Sequence, residues 1–108
     1  MIKKSKEIID FIKLVNITFG SLAPVINDHW EGDLYAIGLQ KDNKLIYVAF
    51  YNKNDYFYEC ELLTNDSGNS YVVQESNNAT EEELLTIISK FFKIPQKRFE
   101  LKLKKQHK

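Results

Sequence analysis

The N-terminal part of the chain has the pattern of apolar and charged positions that is typical of an amphipathic helix. From Ile8 to Phe19 the apolar side chains recur at spacings of three and four residues, and charged side chains occupy the opposite side. Ser5 can accept from the first free backbone N–H groups, and Gly20 tolerates the left-handed backbone that ends many helices. The pattern therefore predicts a helix from Ser5 to Phe19. Its predicted buried stripe is Ile8, Ile9, Phe11, Ile12, Val15 and Phe19.

A period of two replaces the helical period in the middle of the chain, as is typical of strands with one buried face. The predicted strands are 33–40, 45–51, 56–63 and 70–74. Polar turn residues separate them at 42–43, 52–55 and 65–69. Tyr35, Ile37 and Leu39 are predicted to share one face of the first strand. Connections this short imply antiparallel neighbours, so we expect a meander.

A second helix is predicted to begin sharply at Thr80. Thr80-Glu81-Glu82-Glu83 has the spacing of a capping box, in which the hydroxyl and the last carboxylate each satisfy a backbone N–H group. Pro95 closes the element. The predicted buried stripe is Leu84, Ile87, Ile88 and Phe91. Residues 97–108 have two interpretations: a fifth strand at the edge of the sheet, or a basic tail.

The order helix, strands, helix favours an α+β fold over a strict βαβ alternation. We expect a four- or five-stranded antiparallel β-meander, with an N-terminal and a C-terminal helix packed on one face. A chain of 108 residues is predicted to form a single domain, 1–108. No run approaches the apolar length of a membrane span, and the basic start is broken by Glu7 and Asp10 before any signal-like segment develops. The expected location is cytoplasmic, with no membrane partner.

The formal net charge of zero hides a strongly polarised chain. Between Lys53 and Lys90 there are eight acidic residues and no lysine, arginine or histidine. From Lys90 to Lys108 there are eight lysine and arginine residues and one acid, Glu100. An acidic block that includes predicted strands can steer a cationic partner and complement its charge.

Little in the chain indicates chemistry. The cluster at 29–33 holds one histidine and two carboxylates, but zinc sites of this kind usually use more than one imidazole, and Trp30 is better explained as an anchor to the core. Cys60 lies on an inward strand face and is predicted to be a small buried hydrophobe, not a nucleophile. We therefore predict a non-enzymatic protein with no catalytic residues, no metal and no cofactor.

The sheet face that the helices leave uncovered has three interpretations. It can be an ordinary solvated face, or a binding surface on which aromatic side chains lie beside carboxylates. A register slip, or a curved sheet that buries both faces, would give a third arrangement. In the predicted register this face presents Tyr47, Tyr51, Phe57, Glu59 and Glu61, together with Tyr71 or Val72.

In its size, its α+β order and the acidic, aromatic segment Tyr56-Phe57-Tyr58-Glu59-Cys60-Glu61, the chain resembles the small immunity proteins of bacterial toxin systems, including those of contact-dependent growth inhibition. Such proteins bind a cognate toxin, often a nuclease, and block it without catalysis. The resemblance implies that the acidic block docks on the basic substrate cleft of a toxin domain. The predicted contacts are Asp55, Phe57, Glu59, Glu61, Asp66 and Glu75.

The sequence is also compatible with two other functions and with a homodimer. A small nucleic-acid-binding or regulatory domain would use the sheet tyrosines for stacking and the basic C-terminus for phosphates, although the acidic block disfavours it. A small enzyme or ligand-binding cup would be lined by Trp30, Tyr35, Tyr58 and Cys60. An apolar outer sheet face would also suit a homodimer.

Overall fold

The computed structural model describes residues 4–27, 33–50, 55–64 and 70–94. The elements are α1 (Lys6–Phe19), a 3-10 turn (Gly20–Leu22), β1 (Val25–Asn27), β2 (Ala36–Lys41), β3 (Lys44–Ala49), β4 (Tyr56–Leu63), β5 (Ser70–Ala79) and α2 (Glu81–Phe91). The strands form one antiparallel sheet in the order β1-β2-β3-β4-β5. This arrangement confirms the predicted α+β meander with a helix at each end.

The N-terminal helix forms as its sequence predicts. The Ser5 hydroxyl accepts a hydrogen bond from the backbone N–H of Ile8 at 3.3 Å, which satisfies one of the first free donors. At the other end Gly20 has a φ of 58°, in the region that glycine adopts without a Cβ clash. The fully buried stripe is narrower than predicted, because Ile9 and Ile12 lie half-buried at its margins.

The meander places alternate strand residues on the helix side of the sheet. Ile37 pairs with Val48, and Val48 pairs with Tyr58. All three are buried, as are the residues of the neighbouring row, Leu39, Ile46 and Cys60. Asp42 and Asn43 make the predicted turn between β2 and β3, and Asp42 takes a positive φ of 56°.

The fifth strand that the structure shows is β1, which the sequence did not predict. Its three residues are too few for an alternation, and they follow Pro24 directly. They are strand because Val25–Asn27 pairs with 38–40 of β2, and Asn27 donates a side-chain hydrogen bond to Gln40 at 2.6 Å. The other candidate strand, within 97–108, lies outside the described residues, as do the turn residues 52–54 and 65–69.

Two strand boundaries differ from the prediction. The first strand of the meander begins at Ala36, since the Asp33 carboxylate accepts from the backbone N–H of Tyr35 and holds a turn there. Tyr35 is therefore exposed instead of sharing the inward face with Ile37 and Leu39. At the other end of the meander β5 continues beyond Gln74 to Ala79, although its second half is polar, because β4 pairs with it along that length.

The second helix begins with the predicted capping box. The hydroxyl of Thr80 accepts from the Glu83 N–H at 3.1 Å, and the Glu83 carboxylate accepts from the Thr80 N–H at 2.8 Å. The buried residues are Leu84, Leu85, Ile88 and Ser89, while Ile87 and Phe91 are partly buried. The helix is thus rotated slightly from the predicted stripe.

One hydrophobic cluster joins both helices to the same side of the sheet. Phe11 of α1 contacts Tyr56 of β4, with ring centroids 5.2 Å apart, and Tyr56 contacts Phe50 at 4.7 Å. Leu84 and Ile88 of α2 belong to the same cluster. The opposite side of the sheet is consequently left without a helix among the described residues. Neither helix in this part of the chain is long and apolar enough to cross a membrane.

Candidate functional site

The candidate site is the sheet face opposite the two helices, called the outer face below. Each of its residues either alternates with core residues along its own strand or pairs with another outer-face residue on the next strand. Its strand positions are Ala36, Gly38, Gln40, Leu45, Tyr47, Ala49, Phe57, Glu59, Glu61, Leu63, Val72 and Glu75. The prediction of this face was correct in register for Tyr47, Phe57, Glu59 and Glu61, and Val72 joins them. Tyr51 lies outside the described residues.

Three carboxylates form a compact acidic group at the β4–β5 side of this face. Glu59 of β4 pairs directly with Glu75 of β5. Glu61 follows Glu59 on the same side of β4, and its carboxylate accepts a hydrogen bond from the Ser70 hydroxyl at 2.7 Å. Like charges that lie opposite one another across a sheet oppose folding. The stability of the fold therefore does not explain this arrangement.

The acidic group affects the pKa of Glu59. Partial burial raises the pKa of Glu59 above its ordinary value, and the negative charges of Glu61 and Glu75 raise this pKa further. This carboxylate is partly buried, and no basic side chain shares its face within the described ranges. It will gain from any cation that approaches between β4 and β5.

No basic side chain occupies the outward strand positions in the described part of the chain. The nearby lysines of β2 and β3 belong to the other side, since Lys41 and Lys44 alternate with outward residues. Lys44 places its Nζ atom 5.6 Å from the centroid of the Phe91 ring on α2. The charge of this lysine is therefore used against the helix and does not neutralise the outer face.

Two aromatic side chains lie beside the acidic group. The Tyr47 and Phe57 rings meet edge to face, with centroids 5.9 Å apart and planes at 71°. Two of their cross-strand partners are small, because Tyr47 pairs with Gly38 of β2 and Phe57 pairs with Ala49 of β3. On its other side Tyr47 pairs with Glu59 of β4. Both rings are half-buried, and they lie on the same face of the sheet as the acidic group.

The structure brings together four of the six predicted contact residues. Phe57, Glu59, Glu61 and Glu75 share the outer face. Asp55 is half-buried and comes just before β4, at the end of the face near Phe57. Asp66 lies outside the described residues. Tyr47 was missing from the predicted contact set, although its place in the alternation of β3 had already put it on this face.

The remaining chemical candidates are distributed differently. Cys60 is completely buried, and burial raises the pKa of its thiol to about 12. Tyr58 is buried beside it, whereas Tyr35 lies in an exposed turn, so the predicted cup lining is not gathered in one place. His29 and Trp30 lie outside the described residues. In the ranges that the structure describes, no group of three or more histidine, cysteine and acidic side chains could hold a metal ion.

Comparison of the chain with protein-family models, with curated proteins and with solved structures finds no match. No role of any residue can therefore be transferred from a relative. The geometry and charge of the outer face are the features from which a function can be inferred.

Proposed function

We propose that this chain is a non-enzymatic binding protein, an immunity protein that neutralises a cognate bacterial toxin. It would dock the outer face on a basic surface of the toxin, with a nuclease as the expected partner. The observation that carries this proposal is the acidic group of Glu59, Glu61 and Glu75, which no basic side chain accompanies on the described outer face.

The charge of such a partner complements this group. A cleft that binds phosphates is lined by lysine and arginine side chains, so it offers cations at the spacing of several carboxylates. A cation placed near Glu59 and Glu75 would offset the negative charges that, after partial burial, raise the Glu59 pKa in the free protein. Binding would then lower this pKa, and association would be fast at low ionic strength.

The aromatic pair supplies the apolar part of the contact. Interfaces draw most of their binding energy from a few well-packed side chains, and aromatic residues are enriched among them. Phe57, near the start of β4, pairs with Ala49 of β3 and contacts the Tyr47 ring, close to the acidic group. We assign Phe57 as the apolar anchor and the three glutamates as the groups that orient the toxin.

The function is tested by protection from toxicity. The product of the adjacent upstream gene is expressed in a bacterial host together with this protein, and growth is recorded with and without it. Wild type is expected to restore growth and to form a stoichiometric, salt-sensitive complex with that product. A gene product that is toxic and stays toxic beside the folded wild-type chain would contradict the proposal.

The contact assignment needs a matched pair of charge reversals. Glu59→Lys with Glu61→Lys is expected to abolish protection. Glu7→Lys with Glu82→Lys changes the net charge by the same amount at exposed positions on the two helices, and is expected to protect like wild type. Circular dichroism establishes that both double variants are folded. Equal protection by both would defeat the assignment of the outer face.

Retention on nucleic acid tests the alternative function. Binding of single-stranded DNA at low salt, lost when residues 97–108 are deleted, would favour the nucleic-acid-binding domain over the immunity protein. The immunity proposal expects no retention, because the outer face repels phosphates.

A further inference from the structure

The last strand of the described sheet, β5, is an edge strand. β5 pairs with β4 on one side, and no strand among the described residues pairs with its other side. It is ten residues long and contains neither lysine nor arginine nor proline, the residues that commonly protect such edges. Tyr71, Val72 and Val73 are 55%, 44% and 49% exposed. The first half of β5 is therefore an exposed, apolar strand edge that has no partner strand among the described residues.

Each side of this edge offers a different environment. On the outer face Glu75 stands beside Glu59, so the charge there is negative. On the helix side a cavity of about 370 Å³ opens between β5 and α2. Its lining is Tyr58, Gln74, Ser76, Asn78, Ala79, Glu83, Thr86 and Ile87. A strand added to β5 would send alternate side chains to the acidic face and toward this cavity.

We propose that the edge of β5 binds an extended, cationic segment of the partner protein as an additional strand. This inference rests on the proposed function, because it specifies how the toxin reaches the outer face. Backbone hydrogen bonds to β5 would supply affinity. Lysine or arginine at every second position would meet Glu75 and its neighbours, and the intervening apolar side chains would cover Val73 and enter the cavity beside Ile87.

A second copy of this chain fits the same edge less well. Edge-to-edge pairing of two copies would place one acidic outer face next to another, which like-charge repulsion opposes. The register of β5 on β4 is also broken between the partners of Cys60 and Glu61, and again between those of Tyr56 and Tyr58. These irregularities leave short regular segments, which suit a short peptide better than a long flat pairing.

Amide hydrogen exchange with a synthetic peptide tests the site. The probe is an eight-residue alternation of lysine and leucine with blocked ends, and the control replaces each lysine with glutamate. At a peptide concentration of about ten times its Kd, exchange at residues 70–76 is expected to slow about tenfold. The glutamate peptide is expected to give no protection. No protection by the lysine peptide at any concentration would overturn the proposal.

Two variants locate the bound peptide. Val73→Lys places a positive charge on the β5 edge and is expected to remove the protection. Val25→Lys makes the same change on β1, at the opposite edge of the sheet, and is expected to leave it intact. Protection that survives Val73→Lys, or that is lost only with Val25→Lys, would contradict binding at β5.

The same measurement separates the other occupants. Protection of 70–76 without peptide that disappears when residues 97–108 are deleted would assign the edge to this chain's own C-terminal segment. Protection that grows with protein concentration would assign it to a second copy, and either result would overturn the proposal. Because the exchange assay contains no toxin, protection by the peptide would still support peptide binding at β5 if the neutralisation assay failed. If the protein neutralises the toxin but the peptide gives no protection, only the proposal of strand addition at β5 is overturned.

Discussion

Glu59 lies in an environment that disfavours its charged form. It faces Glu75 across the β4–β5 pair, lies half-buried beside the Tyr47–Phe57 contact, and has no cation near it among the outward strand positions described. Its raised pKa reports the resulting unfavourable energy of the charged form. A residue that opposes folding in the free protein, yet complements a cation, is expected of a binding face.

Because the charged form of Glu59 is disfavoured, we expect Glu59→Gln to change the stability of the fold in a pH-dependent way. Since the folded pKa lies above the ordinary value of 4.5, the folded state binds more protons than the unfolded state between the two values, and stability falls as pH rises through that window. Thermal unfolding should therefore show Glu59→Gln more stable than wild type at pH 7, with the difference vanishing below pH 4.5. Glu82→Gln, at the N-terminus of α2, should show no such gain at pH 7. A gain from Glu59→Gln that persists at low pH would refute the electrostatic origin.

Cys60 is predicted to be inert in the folded protein. With its pKa raised to about 12, only about one thiol in ten thousand is ionised at pH 8, and the sulfur has no access to solvent. Labelling by a thiol reagent should proceed only as fast as the protein unfolds, and should become rapid in denaturant. Stoichiometric labelling of the native protein at the rate of free glutathione would show that the Cys60 thiol is not buried in the folded protein.

At the scale of elements, local sequence signals were sufficient where they were strong. Both helices begin at the predicted caps, and β4 spans the predicted residues Tyr56–Leu63. β1 was missed because three residues carry no period, so only pairing with β2 makes them a strand. The polar half of β5 was missed for a similar reason, because its pairing with β4 overrides the weak strand preference of Ser76–Asn78.

The capping box of α2 predicts a measurable loss on substitution. Thr80→Ala removes the hydroxyl that accepts from Glu83 and should lower the free energy of unfolding by about 1 kcal/mol. Thr80→Ser keeps the oxygen and should stay close to wild type. Denaturant titrations of the three proteins provide the comparison. Equal losses in the alanine and serine variants would show that the methyl group, and not the cap, supports the helix.

At the scale of the molecule, one sheet face packs against both helices and the other carries the acidic group. The alternation of the strands predicted the composition of this face, because a period of two assigns each side chain to a side without knowledge of the partner strand. It could not predict which acids meet. The Glu59–Glu75 pairing depends on the register of β4 against β5, and this register includes two irregularities that no local signal marks.

We propose that Glu59 and Glu61 bind a basic partner protein. This contact is tested most directly by titrating the captured partner with wild type, with the Glu59→Lys and Glu61→Lys double variant, and with the Glu7→Lys and Glu82→Lys control, each at low and high salt. Binding is expected to be at least about a hundredfold weaker for the outer-face variant and little changed for the control, and the affinity of wild type is expected to fall with salt. An unchanged affinity of the outer-face variant would show that Glu59 and Glu61 do not contact the partner.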